Sequence, residues 1–518
     1  MESQERVRST RRWILDFGVP SLLFVLGLVW VSPFKIDDSY ISLRYASNLA
    51  AGHGLVFNPG GPPIEGYSNF LLVLIEALFV RAGMTTLAAV KSFLACCGLG
   101  LIAVVVAYGR HRLAGGTSVP LSRWLPMLAA ALVATSSPVI LWTAGGLETV
   151  LFALLVTAGA TEHALFLQHR FGGPRLYVVD LVWVLAVLTR PEGLLFWLLT
   201  IIHLAVVAFA ERDWGPLTRR LPGFVASCLA ISGYAWWKLA YFGSVVPATY
   251  LAKGKSFSVM TLLGGAARLL TFLSINGNFF LILLLMAGAV VLWRQIPLKA
   301  PFSYLVGIAG AYLAYLLSLG FRTTMDDAYR FYVPLVPLVS LLLIEAGSLL
   351  QPRLKRFRTA AISAGAVAVT FLLPIRVHDL WHAWKIDMNW GVLPYQIPAG
   401  EMGKGIERGH AALGKWLKDT APPEAKIVIG DAGAAPYFSG LYTIDTWSLT
   451  DAALINYRRK LSAAESGTER EEILKEMRAY VLEQDPEYIL QDQLGLLDDP
   501  AVRRRYRPTG QSFLYLDS

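Results

Sequence analysis

The chain has 518 residues, 55% of them hydrophobic, with a mean hydropathy of +0.50 and a net charge of +9. Soluble domains are usually about 45–50% apolar, and apolar runs of about 20 residues recur here between Trp13 and Pro374, which excludes an ordinary soluble enzyme. Each run is long enough to cross a hydrocarbon core of about 30 Å, so the sequence predicts a polytopic α-helical membrane protein.

The positive charge is unevenly distributed. Residues 1–375 hold 29 Lys/Arg and 16 Asp/Glu, whereas residues 376–518 hold 17 and 21. Basic loops are what membrane topology requires, so the charge argues against a nucleic-acid partner. The three cysteines, Cys96, Cys97 and Cys228, lie in apolar segments and are interpreted as inert buried thiols.

The N-terminus carries Arg6, Arg8, Arg11 and Arg12 before a long apolar run without a small-residue cleavage site. This pattern predicts a first membrane span with a cytoplasmic N-terminus, in place of a cleaved signal peptide.

Residues 67–83 are apolar but form a short segment that contains Glu76. If this segment is an interfacial helix and does not span, the arginine-rich loop 109–124 lies in the cytoplasm, which the positive-inside rule favours. The first outer loop then covers about 33–86. About eleven spans follow from this choice, at approximately 13–32, 87–108, 125–142, 148–166, 176–189, 191–210, 222–242, 277–293, 303–320, 331–350 and 359–375.

The tail, residues 376–518, has no run long enough to span. The segments 426–430, 442–445, 488–490 and 512–516 are typical of short strands, and 469–482 has an amphipathic helical pattern with Ile473, Met477, Val481 and Leu482 on one face. The sequence therefore predicts a transmembrane domain over 1–375 and a soluble α/β domain over 376–518. Because the span count is odd, the tail is expected on the outer side of the bacterial inner (plasma) membrane.

This topology places most of the unusual polar groups on the outer face. Carboxylates and cations together at a membrane margin indicate a functional site, and they suit a reaction that abstracts a proton and releases an anionic group. The residues concerned are Asp37, Asp38, Glu65, Glu148, Arg190, Glu192, Lys253, Asp326, Asp327, Arg330, Asp431, Asp445 and Asp451.

Structural interpretations of the same residues stay open. Asp37 and Asp38 could cap the following helix, and Glu148 could cap another. Arg190 and Glu192 could form a local ion pair, and Lys253 could be an interfacial lysine whose head reaches the water. Asp326, Asp327 and Arg330 could be a solvated charge cluster.

The stretches IDDSYISLRYASNLAAGHGLVFNPG and EGYSNF in the first loop resemble the GT-C membrane glycosyltransferases, and are most similar to the terminal β-(1→2) arabinofuranosyltransferases of cell-wall arabinan. The GLET turn, the LTRPEG turn, the Tyr250-to-Lys253 spacing and DAGAAPYFSGLYTID (431–445) extend the resemblance along most of the chain. It implies a GT-C fold, a polyprenyl-phosphate sugar donor, an inverting transfer and an active site on the outer face.

The resemblance also implies residue roles. Asp37 would be the general base, with Asp38 orienting it or the sugar. Four cations would bind the donor phosphate: Arg44, Arg190, Lys253 and Arg330. Sugar or acceptor contacts would come from Glu65, Tyr67, Glu148, Glu192, Tyr250, Asp326, Asp327, Asp431 and Asp445. The DD pair at 326–327 is not a recognised feature of the family and suggests a contact peculiar to this chain.

No Walker pattern or glycine-rich dinucleotide turn occurs in the sequence, which fits a sugar already activated on a lipid. No cofactor is required. A divalent cation (Mg²⁺, Mn²⁺ or Ca²⁺) is optional, and Asp38 and Glu148 are the residues that would hold it.

Several alternatives remain. A lipid-linked sugar transporter would show inverted repeats and mid-membrane charges, and an assembly protein would not need so many spans. Within the enzyme class, D-arabinofuranose is the first choice of donor sugar, with mannose or another pentose next. The acceptor could be arabinan, a surface polysaccharide, lipopolysaccharide or a pilin-like protein.

Overall fold

The protein is described by a computed structural model that covers residues 2–84, 87–113, 120–168, 175–248, 258–275, 297–320, 327–354, 385–388 and 395–509. The described residues up to 354 are mostly helical. The helices are α1 (Glu2–Trp30), α2 (Asp38–Ala50), α3 (Phe70–Arg81), α4 (Leu87–Leu113), α5 (Pro120–Ala134), α6 (Ser137–Ala144), α7 (Thr149–Gln168), α8 (Arg175–Thr189), α9 (Gly193–Glu211), α10 (Gly215–Phe242), α11 (Val259–Ile275), α12 (Pro301–Leu319), a 3-10 turn (Asp327–Tyr332) and α13 (Leu335–Leu354).

Six helices in the described residues are long and apolar enough to cross a membrane, or seven if one bent pair is a single span. They confirm a multi-pass helical protein. Predicted spans 277–293 and 359–375 lie outside the described residues. Predicted spans 176–189 and 222–242 are helical but are not among the helices that meet this length and hydropathy test, so the number eleven stays a prediction. The six are Arg12–Trp30, Leu87–Leu113, Thr149–Gln168, Gly193–Glu211, Pro301–Leu319 and Ala328–Leu349.

The predicted span 125–142 is not one continuous helix. It is broken into Arg123–Ala134 and Ser137–Ala144, which are inclined at 53°. Ser136 is extended between them, and Pro138 opens the second helix. Since proline has no N–H to continue a helix from the preceding turn, the chain restarts at this point.

Helix α3 corresponds to the ambiguous segment 67–83. It has 12 residues, which at 1.5 Å per residue gives about 18 Å, well short of a hydrocarbon core of about 30 Å. This length fits the interfacial helix that the charge of the neighbouring loop favours.

The tail contains two small sheets and short helices. Its elements are β1 (Lys385–Met388), β2 (Tyr395–Pro398), α14 (Ala399–Ile406), a π-helical turn (Glu407–Ala411), α15 (Ala412–Thr420), β3 (Lys426–Ile429), α16 (Ala434–Ser439), β4 (Tyr442–Asp445), α17 (Ala452–Ala463), α18 (Gly467–Glu483), β5 (Tyr488–Ile489), a 3-10 turn (Leu496–Asp498) and α19 (Pro500–Arg505).

The strands β3, β4 and β5 form a parallel sheet in the order β4-β3-β5, whereas β1 and β2 pair antiparallel. The three predicted strands within 426–490 are therefore confirmed. The predicted amphipathic helix is also confirmed, because α18 buries Ile473, Met477 and Val481 against the sheet residues Val428 and Ile444. Predicted strand 512–516 lies outside the described residues.

The first loop and the tail are packed together. Asn58 donates from Nδ2 to the carbonyl of Thr443 (2.9 Å) and accepts from the Thr443 N–H (3.0 Å), which satisfies the edge of β4. Arg44 donates to the carbonyls of Phe57, Pro436 and Leu441. Since these contacts are buried, the tail is held against helix α2, which begins at Asp38.

Candidate active site

Asp37 lies where the first loop meets the tail. Its Oδ1 accepts a hydrogen bond from the backbone N–H of Ala434 (2.9 Å) and lies 3.0 Å from Nδ1 of His410. An ionised carboxylate only accepts, so Nδ1 of His410 carries the hydrogen in this pair. The Asp37 side chain is 15% exposed, which keeps it accessible to a substrate.

Asp37 immediately precedes helix α2, but its side chain makes no capping hydrogen bond. A capping hydrogen bond therefore does not orient the Asp37 carboxylate. The backbone of Gly433 lies directly against Asp37, and a Cβ at position 433 would overlap the carboxylate and carbonyl of Asp37. A glycine is needed here because any side chain would push the two segments apart.

Asp431 stands on the other side of His410, with its Oδ2 3.7 Å from Nε2. Gln491 fixes Asp431: its Nε2 donates to Oδ2 of Asp431 (3.1 Å), while its Oε1 accepts from the N–H groups of Gly430 and Asp431. We call Asp37, His410, Asp431 and Gln491 the junction site. Asp431 and Gln491 follow the adjacent parallel strands β3 and β5, at the carboxyl edge where open α/β sheets bind ligands.

The groups of the junction site shift each other's pKa values. Burial alone would lower the pKa of His410, but the hydrogen bond and charge of Asp37, together with the charge of Asp431, raise it. Burial, followed by the charge of Asp37, raises the pKa of Asp431. The site therefore favours binding a proton, because two carboxylates share one imidazole.

A second group of charges, which we call the arginine cluster, consists of Glu148, Arg190, Glu192 and Arg330. Oε1 of Glu148 accepts from Nη1 of Arg190 (2.5 Å) and from Nη2 of Arg330 (2.8 Å). Arg190 also donates two hydrogen bonds to the carboxylate of Glu192, at 2.9 and 3.2 Å. The local ion pair predicted for Arg190 and Glu192 is thus present, and Glu148 extends it to Arg330.

The arginine cluster is buried among aromatic side chains. Glu148 is 1% exposed and both arginine side chains are 9% exposed. Arg190 lies over the rings of Phe152 and Phe331, and Arg330 lies over Trp142. The two arginines are matched by the carboxylates of Glu148 and Glu192, and the low-dielectric setting strengthens these pairings.

The backbone directly before Arg330 has an unusual conformation. The two residues before it, Ala328 and Tyr329, both adopt left-handed conformations (φ 46° and 58°). Backbone strain of this kind concentrates at functional sites. Here the carbonyl of Ala328 accepts from Trp142 Nε1 (3.2 Å), which anchors the turn.

Helix α2 connects the two groups. Asn69 donates from Nδ2 to Ser42 Oγ (2.9 Å) and to Oε2 of Glu148 (3.2 Å). Ser42 is four residues after Asp38, so the two side chains share one face of the helix, about one 5.4 Å turn apart. Asp37 thus stands at the tail, whereas Asp38 stands on the helix face that leads through Ser42 and Asn69 to the arginine cluster.

Other predicted residues have structural partners. Arg44 directs its guanidinium at backbone carbonyls and Asn58 (3.1 Å), which favours a role in joining the first loop to the tail over a phosphate contact. Asp445 is fully buried and accepts from the N–H groups of Trp447, Leu449 and Thr450, which shapes the loop after β4. Asp451 caps helix α17.

Glu65 and Tyr67 lie beside each other in the first loop. Glu65 forms a buried ion pair with Lys238 (2.6 Å), and Tyr67 packs edge-on against Tyr45. Burial raises the pKa of Glu65 to about 7. Tyr250, Lys253 and Asp326 lie outside the described residues, and Asp327 is described by its backbone alone.

Within the described part of the chain, no three His, Cys, Asp or Glu side chains are grouped to hold a metal ion. The optional cation at Asp38 and Glu148 stays a prediction.

Solved structures with the same fold place this arrangement in context. The crystal structure of ArnT from Cupriavidus metallidurans in the apo state matches with a TM-score of 0.55 and 15% identity, covering 87% of this chain and 89% of that one. These neighbours are GT-C glycosyltransferases, and the chain shares their fold. ArnT bound to undecaprenyl phosphate matches with a TM-score of 0.52 and 14% identity, covering 86% of this chain and 87% of that one.

A third match is the archaeal oligosaccharyltransferase AglB from Archaeoglobus fulgidus, in complex with an inhibitory peptide and a dolichol-phosphate. Its TM-score is 0.54 at 11% identity, covering 90% of this chain and 68% of that one. In sequence, residues 401–515 match a domain of unknown function, DUF8728. No curated protein matches the sequence.

Three residues of the site were not among those predicted from the sequence: His410, Gln491 and Asn69. His410 sits in a helical stretch, MGKGIERGHAALGKWL, with no motif around it. Asn69 was visible within EGYSNF, where a polar residue precedes the apolar helix α3. Gln491 could have been found from its position directly after a short predicted strand.

Proposed function

We propose that the protein is an inverting membrane glycosyltransferase that moves a sugar from a polyprenyl-phosphate donor to a cell-envelope glycan or glycoprotein. One observation carries the proposal. Helix α2 joins an accessible carboxylate, Asp37, to a buried pair of arginines. A carboxylate suits removal of a proton, and arginines suit release of a phosphate.

In the proposed reaction Asp37 is the general base. It takes the proton from an acceptor hydroxyl while that oxygen forms a bond to the anomeric carbon of the sugar. The bond between the anomeric carbon and the phosphate oxygen breaks, and its electron pair leaves with the lipid phosphate. Attack from the face opposite the phosphate inverts the anomeric centre.

The fold supports a lipid-borne donor. Two structures with this fold, those of ArnT and AglB, contain undecaprenyl phosphate and dolichol-phosphate respectively. Arg330 and Arg190 are the described cations best placed to stabilise the charge that grows on a leaving phosphate, because both are buried and rigidly held. Lys253 is proposed to join them.

We propose D-arabinofuranose as the sugar, on the strength of the sequence resemblance. Sugar hydroxyls would contact Glu192, Glu148, Tyr250 and the pair Asp326 and Asp327. The acceptor would approach the carboxyl edge of the tail sheet, where Asp431 and Gln491 stand next to Asp37. This assignment requires the tail on the outer face of a bacterial inner membrane and the N-terminus in the cytoplasm.

The proposal is tested with purified protein, synthetic polyprenyl-phosphoryl arabinofuranose and an arabinose-oligomer acceptor. Transfer by the wild type, and its loss in Asp37→Asn, would support the proposal. Transfer only from a mannosyl or other pentosyl lipid would keep the reaction class and replace the sugar. Movement of the donor across vesicles without transfer would favour a transporter.

A further inference from the structure

The tail supplies contacts to Asp37 from two separate places. His410 comes from the π-helical turn Glu407–Ala411, and the N–H of Ala434 comes from the start of helix α16. Both contacts fall on one oxygen of Asp37, Oδ1. A carboxylate fixed by two donors on one oxygen has a defined orientation for its other oxygen.

The turn that carries His410 is itself unusual. Residues 407–411 adopt a π-helix between the α-helices α14 and α15. Such one-turn π segments are rare inside α-helices and are frequent at functional sites. Here Lys35, which stands two residues before Asp37, also forms a 2.8 Å ion pair with Glu407 of the same turn.

We infer that His410 is the positioning residue for Asp37, so that the tail completes the active site and does more than bind the acceptor. The inference rests on the proposed function, in which Asp37 is the base. His410 donates from Nδ1 to Oδ1 of Asp37, and Oδ2 lies beside the backbone of Gly433. The carboxylate held in this way receives the proton of the acceptor hydroxyl.

The charged and titratable groups around this pair come from both sides. Asp431 faces His410 from the sheet edge. Glu407, on the same turn as His410, is paired with Lys35 of the first loop, and Tyr40 lies near Asp37 on helix α2. Asp37 and Asp431 both stabilise the protonated imidazole, so a protonated His410 would also lower the negative charge that surrounds an incoming sugar.

The test compares His410→Ala with His410→Asn in the full-length protein. Asparagine carries an N–H donor at nearly the reach of Nδ1, and alanine carries none. We expect His410→Ala to lower kcat about 100-fold with KM changed less than threefold, as a misplaced catalytic group does, and His410→Asn to stay within about tenfold of wild type. The matched control is His53→Ala, which removes an exposed histidine of the first loop and should leave kcat unchanged.

Equal kcat in wild type and His410→Ala would overturn the inference. A loss confined to KM, or an equal loss in the alanine and asparagine variants, would also overturn it, because a positioning role depends on the donor and acts on kcat.

A second readout does not depend on activity. The chain has eight histidines, so ¹⁵N-histidine NMR spectra can be assigned at position 410 by comparison with His410→Asn. We expect a His410 signal protonated at Nδ1, whose midpoint of titration falls in Asp37→Asn. An unchanged midpoint in Asp37→Asn would overturn the contact. If the wild type transfers no sugar while this NMR coupling is present, the proposed function fails and the Asp37–His410 contact stands.

Discussion

Glu148 is the residue whose loss should disturb the arginine cluster most. It is 1% exposed, and its carboxylate accepts from Arg190, Arg330 and Asn69. Glu148→Gln keeps the size of the side chain and removes its charge. Two arginines then face one remaining carboxylate, Glu192, in a buried setting.

Removing one partner of a buried ion pair typically costs about 3–5 kcal/mol, since the other charge is left uncompensated. We expect Glu148→Gln to lower the unfolding free energy by about that amount, measured by titration with a denaturing detergent in mixed micelles. The matched control is Glu211→Gln, which breaks the exposed pair with Lys299 (2.8 Å) and should cost at most about 1 kcal/mol.

The same experiment contains a charge-balancing arm. Adding Arg330→Met to Glu148→Gln removes the unpaired cation, so the double variant should be more stable than Glu148→Gln alone, with a coupling energy of about 1–3 kcal/mol. Equal stability of Glu148→Gln and Glu211→Gln, or strictly additive effects in the double variant, would refute the reasoning.

Three further predictions concern the tail. Gly433→Ala places a methyl group against Asp37, so kcat should fall about 100-fold, as a displacement of roughly 1 Å can do. The control is Gly467→Ala, whose added methyl group has no atom within 4 Å and which should match wild type. Equal rates in both variants would show that the close contact between Gly433 and Asp37 is not needed. Asp445→Ala removes the acceptor of three backbone N–H groups and should lower the unfolding free energy by about 1–3 kcal/mol, which appears as a lower melting temperature. The exposed Asp419→Ala should leave the melting temperature unchanged, and matched melting curves for the two variants would contradict this prediction. The folded state raises the pKa of His410 above its usual 6.5, so the folded state binds more protons than the unfolded state. The stabilisation from His410 is complete below pH 6.5 and is lost as the pH rises through the raised pKa, so the melting temperature should fall from pH 6 to 8.5. The raised pKa of Asp431 acts in the same direction at lower pH. A melting temperature that rises over this range, or an equal fall in His410→Asn, would contradict the prediction.

The sequence predicted the elements that depend on local pattern. Long apolar runs identified the helices, and the alternation within YTID placed β4 at Tyr442–Asp445, as the structure has it. The break at Ser136 was missed because the apolar pattern continues across it, and only Pro138 signals the restart of the helix.

The site was predicted in part. Asp37 and Asp431 were chosen separately, and the structure places both beside His410. His410 itself could not be predicted, since its role depends on a π-helical turn and on contacts across 373 residues of chain. Arg44 shows the opposite case. The family resemblance implied a phosphate contact, whereas the Arg44 donors are directed at carbonyls more than a dozen residues away.

The most direct test of the account measures sugar transfer from polyprenyl-phosphoryl arabinofuranose by wild type, Asp37→Asn and Arg330→Gln, with and without EDTA. The account predicts transfer by wild type and loss of kcat in Asp37→Asn at full expression. It predicts a lower kcat/KM for the polyprenyl-phosphate donor in Arg330→Gln. Transfer by Asp37→Asn at the wild-type rate would contradict the assignment of the base.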